Sequence, residues 1–179
     1  MTTTPAAPAE GIGLATFNAL PDGQARSTLL ACCSALHWAD EVAAGRPYPS
    51  LAALLDRADT ALTAEDVSQA LAGHPRIGQA PSQSHSSWSR GEQAGVAASS
   101  DQVLADLAAG NRAYEETFGH IYLVCAAGRT APELVQILRE RLRNAPDAER
   151  QVVRDELRKI NELRLTRLIG GQQTQGDQA

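Results

Sequence analysis

Helix formers dominate the apolar residues of this chain: 32 Ala and 20 Leu stand against 8 Val and 6 Ile. Strands favour β-branched side chains, whereas Ala and Leu lose little on entering a helix. An all-α fold is the expectation. At 179 residues the chain is long enough for a sizeable core and short enough to keep one, so a single-domain bundle is predicted.

Turn signals divide the chain into roughly eight helical stretches. The first run over about 12–20, ending at Pro21; 22–34, with Asp22 as a possible N-cap; 35–45, closed by Gly45 and Pro47; and 50–61 after Ser50. Thr63-Ala-Glu-Asp66 then offers a cap with acid in the first turn, and Gly73 followed by His74-Pro75 stops that helix. Breakers over 77–87 predict an exposed loop, with a helix resuming near Trp88. A long amphipathic helix spans 100–118, Thr130-Ala-Pro-Glu133 opens the next as a capping box, and Pro146 begins the last, to about Ile169. Ile121 to Ala127 is a short apolar run that periodicity assigns to neither strand nor buried helix. The polar ends, 1–10 and 170–179, are expected to lack fixed structure, leaving 11–169 as the helical domain.

Several function classes drop out. The formal charge is -5, with 16 basic residues scattered among 21 acidic ones, and a phosphate-binding surface needs them clustered, so no nucleic-acid partner is expected. No apolar run approaches the ~18 residues that cross a bilayer, and the Thr/Pro/Ala opening lacks the basic region of a signal peptide. No membrane association and a cytoplasmic location follow as expectations. Cys32, Cys33 and Cys125 fit neither a disulfide framework nor a zinc spacing, and suggest buried thiols in a reducing compartment. His37, His85 and His120 have no metal-site spacing either, so no metal is implied. Phosphate loops, nucleophile elbows and C-x-x-C are absent, which removes most cofactor classes.

Three clusters are candidates for chemistry. His74 is fixed between a helix end and a loop, where the following Pro restricts its backbone. Because an unperturbed imidazole titrates at about 6.5, a His suits general acid or base work, although a lone His there is often structural. Ser89, Glu92 and Gln93 are i, i+3 and i+4, so one helical face carries a hydroxyl, a carboxylate and an amide. They suit a small ligand rich in amide and ureido groups, or else form a solvated first turn. On the last helix, at about 100° per residue, Arg164 falls in the middle of the stripe of Val153, Leu157, Ile160 and Leu168. A core-facing guanidinium needs a partner, whether a buried Glu, a bound carboxylate or water at the rim. Arg167 lies at the stripe's edge, and Lys159, the sole lysine, faces away.

Taken together, His74-Pro75-Arg76-Ile77-Gly78, Trp88-Ser89-Arg90-Gly91-Glu92-Gln93-Ala94-Gly95, Asn111 with Tyr114 and Phe118-Gly119, and Lys159-Ile160 with Arg164-Leu165 resemble the OHCU decarboxylases in order and spacing. The resemblance covers nearly all of 12–169. It implies decarboxylation of 2-oxo-4-hydroxy-4-carboxy-5-ureidoimidazoline, the last intermediate of urate breakdown, to (S)-allantoin and CO2. No cofactor is implied, and a homodimer is. Carried over, the essential histidine falls on His74, with Glu92 as the second catalytic group. Substrate binding falls on Pro75, Ser89, Gln93 and Arg164 and on main chain in Leu123 to Ala127, with Val124 and Cys125 at its centre. Two features depart from the pattern: His120-Ile121-Tyr122 after Phe-Gly, and Gly91 inside the helical motif. The C-terminal Asp177-Gln178-Ala179 is not the peroxisomal signal many eukaryotic members carry. The competing classes are a helical module that binds a ureide without turning it over, and an interaction scaffold in which the polar clusters do not converge.

Overall fold

A computed structural model describes residues 11–78, Glu92, Val96 and 99–170. The described residues form eight helices and no strand: α1 Leu14–Ala19, α2 Asp22–Cys32, α3 Leu36–Ala44, α4 Leu51–Thr60, α5 Ala64–Gly73, α6 Asp101–Phe118, α7 Ala131–Arg141 and α8 Pro146–Ile169. Glu92 and Val96 are also helical. The chain is all-α. Trp88, Ser89 and Gln93, most of the 77–87 loop and nearly all of both tails lie outside the described residues.

The start signals act as their chemistry requires. Ser50 Oγ accepts from Ala53 N–H at 3.2 Å to cap α4. At α5, Asp66 N–H donates to Thr63 Oγ1 at 3.2 Å, while Thr63 N–H donates back to the Asp66 carboxylate at 2.9 Å. The box at α7 is the same, with Thr130 N–H on Glu133 at 2.7 Å. Asp22 differs from expectation. It is the first residue of α2 rather than its cap, which is Pro21, and its carboxylate meets Arg46 Nη2 at 2.7 Å. The run 121–127 is neither helix nor strand, and its main chain bonds to side chains of α7 and α8 among others.

The described residues fall into two compact units, one reaching Asp66 and resuming at Asn161, the other Val67–Ile160. In the first, Phe17, Leu29, Trp38, Leu54, Leu165 and Leu168 are fully buried. Trp38 donates Nε1–H to Ala58 O at 2.7 Å and its N–H to Asp66 at 3.1 Å, so the indole and main chain there meet no unsatisfied partner. In the second, α6 packs on α7. Gly110 permits their approach, since a Cβ there would collide with Leu138 Cδ2.

Candidate active site

His74 follows the last turn of α5, where its N–H donates to Leu71 O at 3.2 Å. Its ring is half-buried, and Nδ1 lies 2.9 Å from Ala70 O. A carbonyl oxygen only accepts, so Nδ1 carries the proton. In the neutral ring the lone pair therefore belongs to Nε2, which is shielded from solvent.

The turn after His74-Pro75 is fixed by its next three residues. Arg76 grips Glu115 of α6 through two bonds, Nε to Oε1 at 2.5 Å and Nη2 to Oε2 at 2.8 Å. Ile77 O accepts from buried Asn111 Nδ2 at 2.8 Å. Gly78 has φ 81°, and a Cβ on it would lie 2.8 Å from Leu107 Cδ2. Only glycine takes that conformation and that contact without strain.

Ile77, Val96 and Val124 lie in one buried cluster with Leu107, Tyr114 and Tyr122. Glu92 and Val96 are both helical and buried, and Val96 is the one that belongs to that cluster. Ile77 of the first sequence block and Tyr114 of the third therefore meet in one core. Glu92 also acts on the 121–127 run: burial pushes the Cys125 thiol up, and the Glu156 and Glu92 carboxylates add to the rise. Pro75 is half-buried beside His74. Ser89 and Gln93 lie outside the described residues. Arg164 belongs to the first unit.

The 121–127 run is held by groups the sequence reading missed. Arg141, at the end of α7, donates Nη1–H to Leu123 O at 2.6 Å. Its Nε meets Glu149 at 2.7 Å, and Glu149 also accepts from Asn144 at 2.7 Å and from the Tyr114 hydroxyl. Burial and the Glu149 bond push the Tyr114 phenol far up, so it stays a donor. From α8, Glu156 Oε2 accepts the Cys125 N–H at 2.8 Å and Oε1 meets Lys159 Nζ at 2.6 Å. Burial alone would raise the Glu156 carboxyl, but the Lys159 bond and the Cys125 N–H outweigh it and hold it below the usual range. The Cys125 N–H, expected to face substrate, is thus engaged by Glu156.

A signal for these groups was present. Arg141 sits three residues after Leu138 on the face of Ala131, Leu134, Val135 and Leu138, all buried. With Leu157 taken as zero, Glu149 and Glu156 fall at about -80° and -100° on the α8 wheel, at the edge of its stripe.

In the first unit, Arg164 is 4% exposed, as its stripe position predicted. Nη1 donates to Cys32 O at 2.6 Å, so a main-chain carbonyl is one of its partners. Beside it, burial pushes the Cys33 thiol up to about 11, against the opposing pull of an Asn161 bond and the Arg164 charge. Arg167 and Lys159 are exposed. Among the described residues no three His, Cys, Asp or Glu side chains are grouped as metal ligands would be, and no helix is long and apolar enough to cross a membrane.

The model of the OHCU decarboxylase family matches residues 18–166. The chain belongs to that family. It is 34% identical over 146 residues to the Uric acid degradation bifunctional protein TTL of Arabidopsis thaliana, covering 77% of this chain and 45% of that protein. It is 39% identical over 83 residues to the 2-oxo-4-hydroxy-4-carboxy-5-ureidoimidazoline decarboxylase of Amia calva, over 45% of this chain and 47% of that one. The matches thus span under half the length of both relatives. An OHCU decarboxylase crystallised in the presence of (S)-allantoin superposes with a TM-score of 0.71 at 29% identity, over 84% of this chain and 99% of its own. An (S)-allantoin synthase shares the fold, with a TM-score of 0.67 at 17% identity over 88% of this chain and 54% of its own.

Proposed function

We propose that this member of the OHCU decarboxylase family converts 2-oxo-4-hydroxy-4-carboxy-5-ureidoimidazoline to (S)-allantoin and CO2 without a cofactor. The observation that carries the reading is the Nδ1 to Ala70 contact of His74. It commits the neutral ring to presenting Nε2 as the base, on a turn clamped to α6. Decarboxylation needs somewhere for the electron pair of the broken bond to go. In this substrate it passes from the carboxylate-bearing carbon into the neighbouring ring imine, so a lysine Schiff base is not required.

As CO2 leaves, the imine nitrogen that receives the electron pair takes a proton from solvent; His74 Nε2 then takes the enol hydroxyl proton, and the resulting imidazolium returns a proton to the ring carbon that becomes the stereocentre. Glu92 orients the imidazole or the substrate. Pro75 shapes the pocket wall, Ser89 and Gln93 hold ureido and ring amide groups, and main chain at Val124 adds hydrogen bonds where negative charge develops. Arg164 balances the substrate's charge. We further propose a cytoplasmic homodimer. All three cysteines are free thiols, which fits a reducing compartment, and sedimentation tests the dimer.

The substrate is short-lived, so the test generates it from urate with urate oxidase and hydroxyisourate hydrolase and follows ultraviolet decay and circular dichroism. Faster decay giving one allantoin enantiomer is expected. Racemic product would sink delivery from one fixed face, and unchanged decay with folded protein would leave a helical binder.

A further inference from the structure

We propose that Arg141 and Glu156 are positioning residues that aim and polarise the main-chain N–H and C=O of Val124. The inference rests on the reading above, in which this segment meets the substrate.

Residues 121–126 have neither helix nor strand bonding, so side chains must fix the direction of their peptide groups. Charged ones do at three successive peptides: Arg141 on Leu123 O, Glu156 on the Cys125 N–H, and Arg129, whose Nε donates to Cys125 O at 3.2 Å. Each peptide is a rigid plane in which C=O and N–H point opposite ways when trans, and the one cis bond among the described residues is Arg46-Pro47. The plane carrying Leu123 O also carries Val124 N–H, and the plane carrying Cys125 N–H also carries Val124 C=O. Arg141 Nη1, 2.6 Å from Leu123 O, therefore aims the Val124 N–H away from itself. Glu156 Oε2, 2.8 Å from Cys125 N, does the same for the Val124 carbonyl.

The charges add a second effect. A guanidinium on Leu123 O draws electron density from that peptide and makes the Val124 N–H a better donor. A carboxylate on the Cys125 N–H makes the Val124 carbonyl a better acceptor. Both holders are themselves held, Arg141 by Glu149 and Tyr114 and Glu156 by Lys159. Val124 thus presents a preset donor and acceptor, the pattern an amide or ureido group complements.

Glu156 is the residue to test, because truncating Arg141 would leave Glu149 buried without its cation. Wild type, Glu156→Gln and Glu156→Ala are compared in kcat and KM, in Kd for (S)-allantoin, in amide hydrogen exchange at Cys125 and in melting temperature. Glu156→Ala is expected to speed Cys125 exchange and to raise KM and Kd about tenfold, the scale of one hydrogen bond to a charged group. Glu156→Gln, which keeps an acceptor oxygen, is expected to recover most of that. A purely structural role would lower the melting temperature and the active fraction while leaving KM and Kd in place. A folded Glu156→Ala with faster exchange but unchanged KM and Kd overturns the proposal. If wild type binds allantoin without turning substrate over, the functional reading fails while Kd still decides the positioning role. If it does neither, both fail.

Discussion

At the residue scale, the two nitrogens of His74 have different fates. The His-Pro pair and the preceding Gly are enough to place the imidazole at a helix end, but not to say which nitrogen keeps its proton. That depends on Ala70, an ordinary buried position four residues earlier. With Nδ1 committed, His74→Asn removes the base, and kcat should fall about 10²- to 10⁴-fold with the melting curve preserved. Wild-type turnover in that variant would end the assignment. Arg164 was legible as buried from the α8 wheel, yet its Cys32 carbonyl lies 132 residues away in sequence, beyond any local pattern. Arg164→Gln should cut kcat/KM with a modest loss of stability, and a large drop in melting temperature with normal activity would make it structural instead. Arg141 could have been found by the same arithmetic on α7. Arg141→Met should cost about 3 to 5 kcal/mol, because Glu149 would stay buried without its cation. Adding Glu149→Leu should restore part of it in a denaturant titration.

At the element scale, what the sequence displays is what neighbours within one turn decide. The boxes at Thr63 and Thr130 and the Ser50 cap are settled by residues three apart, and all form. The 121–127 run was illegible for the converse reason. Two of its main-chain partners lie 18 and 31 residues along the chain, on α7 and α8. The turn after α5 combines both kinds. Gly78 suggests a break, but only the fold shows that its φ of 81° and the Leu107 contact exclude a side chain. Gly78→Ala should cost roughly 1 to 2 kcal/mol for the left-handed backbone alone, and more as Leu107 shifts. Because the same turn carries His74, kcat should fall further than the loss of folded protein explains. A variant that loses stability but keeps full kcat would uncouple the turn from the site.

At the scale of the whole molecule, composition was enough for the all-α class, whereas the division into two units was hidden. Both boundaries, Asp66/Val67 and Ile160/Asn161, fall inside helices, α5 and α8, where neither composition nor breakers mark them. Stability against pH sums over both units, and the shifted groups give it a shape. On the acid side, burial opposes ionisation of Asp66, but bonds from Thr63, His37 and the Trp38 N–H outweigh it and hold that carboxyl low. Glu156 is held low as well. A carboxyl depressed by folding stabilises above its unfolded value of about 4, and that contribution disappears as pH falls through the folded value. On the alkaline side the sign reverses. Cys33 ionises near 9 when unfolded and at about 11 when folded, so its contribution is complete below pH 9 and is lost as pH rises toward 11. In that window the folded state holds one more proton than the unfolded, a slope of about 1.4 kcal/mol per pH unit and a total near 3 kcal/mol. Cys125, also raised by burial, adds to the slope, whereas the raised tyrosines Tyr48, Tyr114 and Tyr122 begin to contribute only above about pH 10. Denaturant unfolding of wild type and Cys33→Ala between pH 7 and 11 isolates the term. The variant should start less stable, from the small cavity it leaves, but lose stability with pH more slowly by about one proton's slope. Parallel curves would mean that the Cys33 thiol titrates alike in the folded and unfolded chain, and that its burial beside Asn161 and Arg164 has no consequence for ionisation.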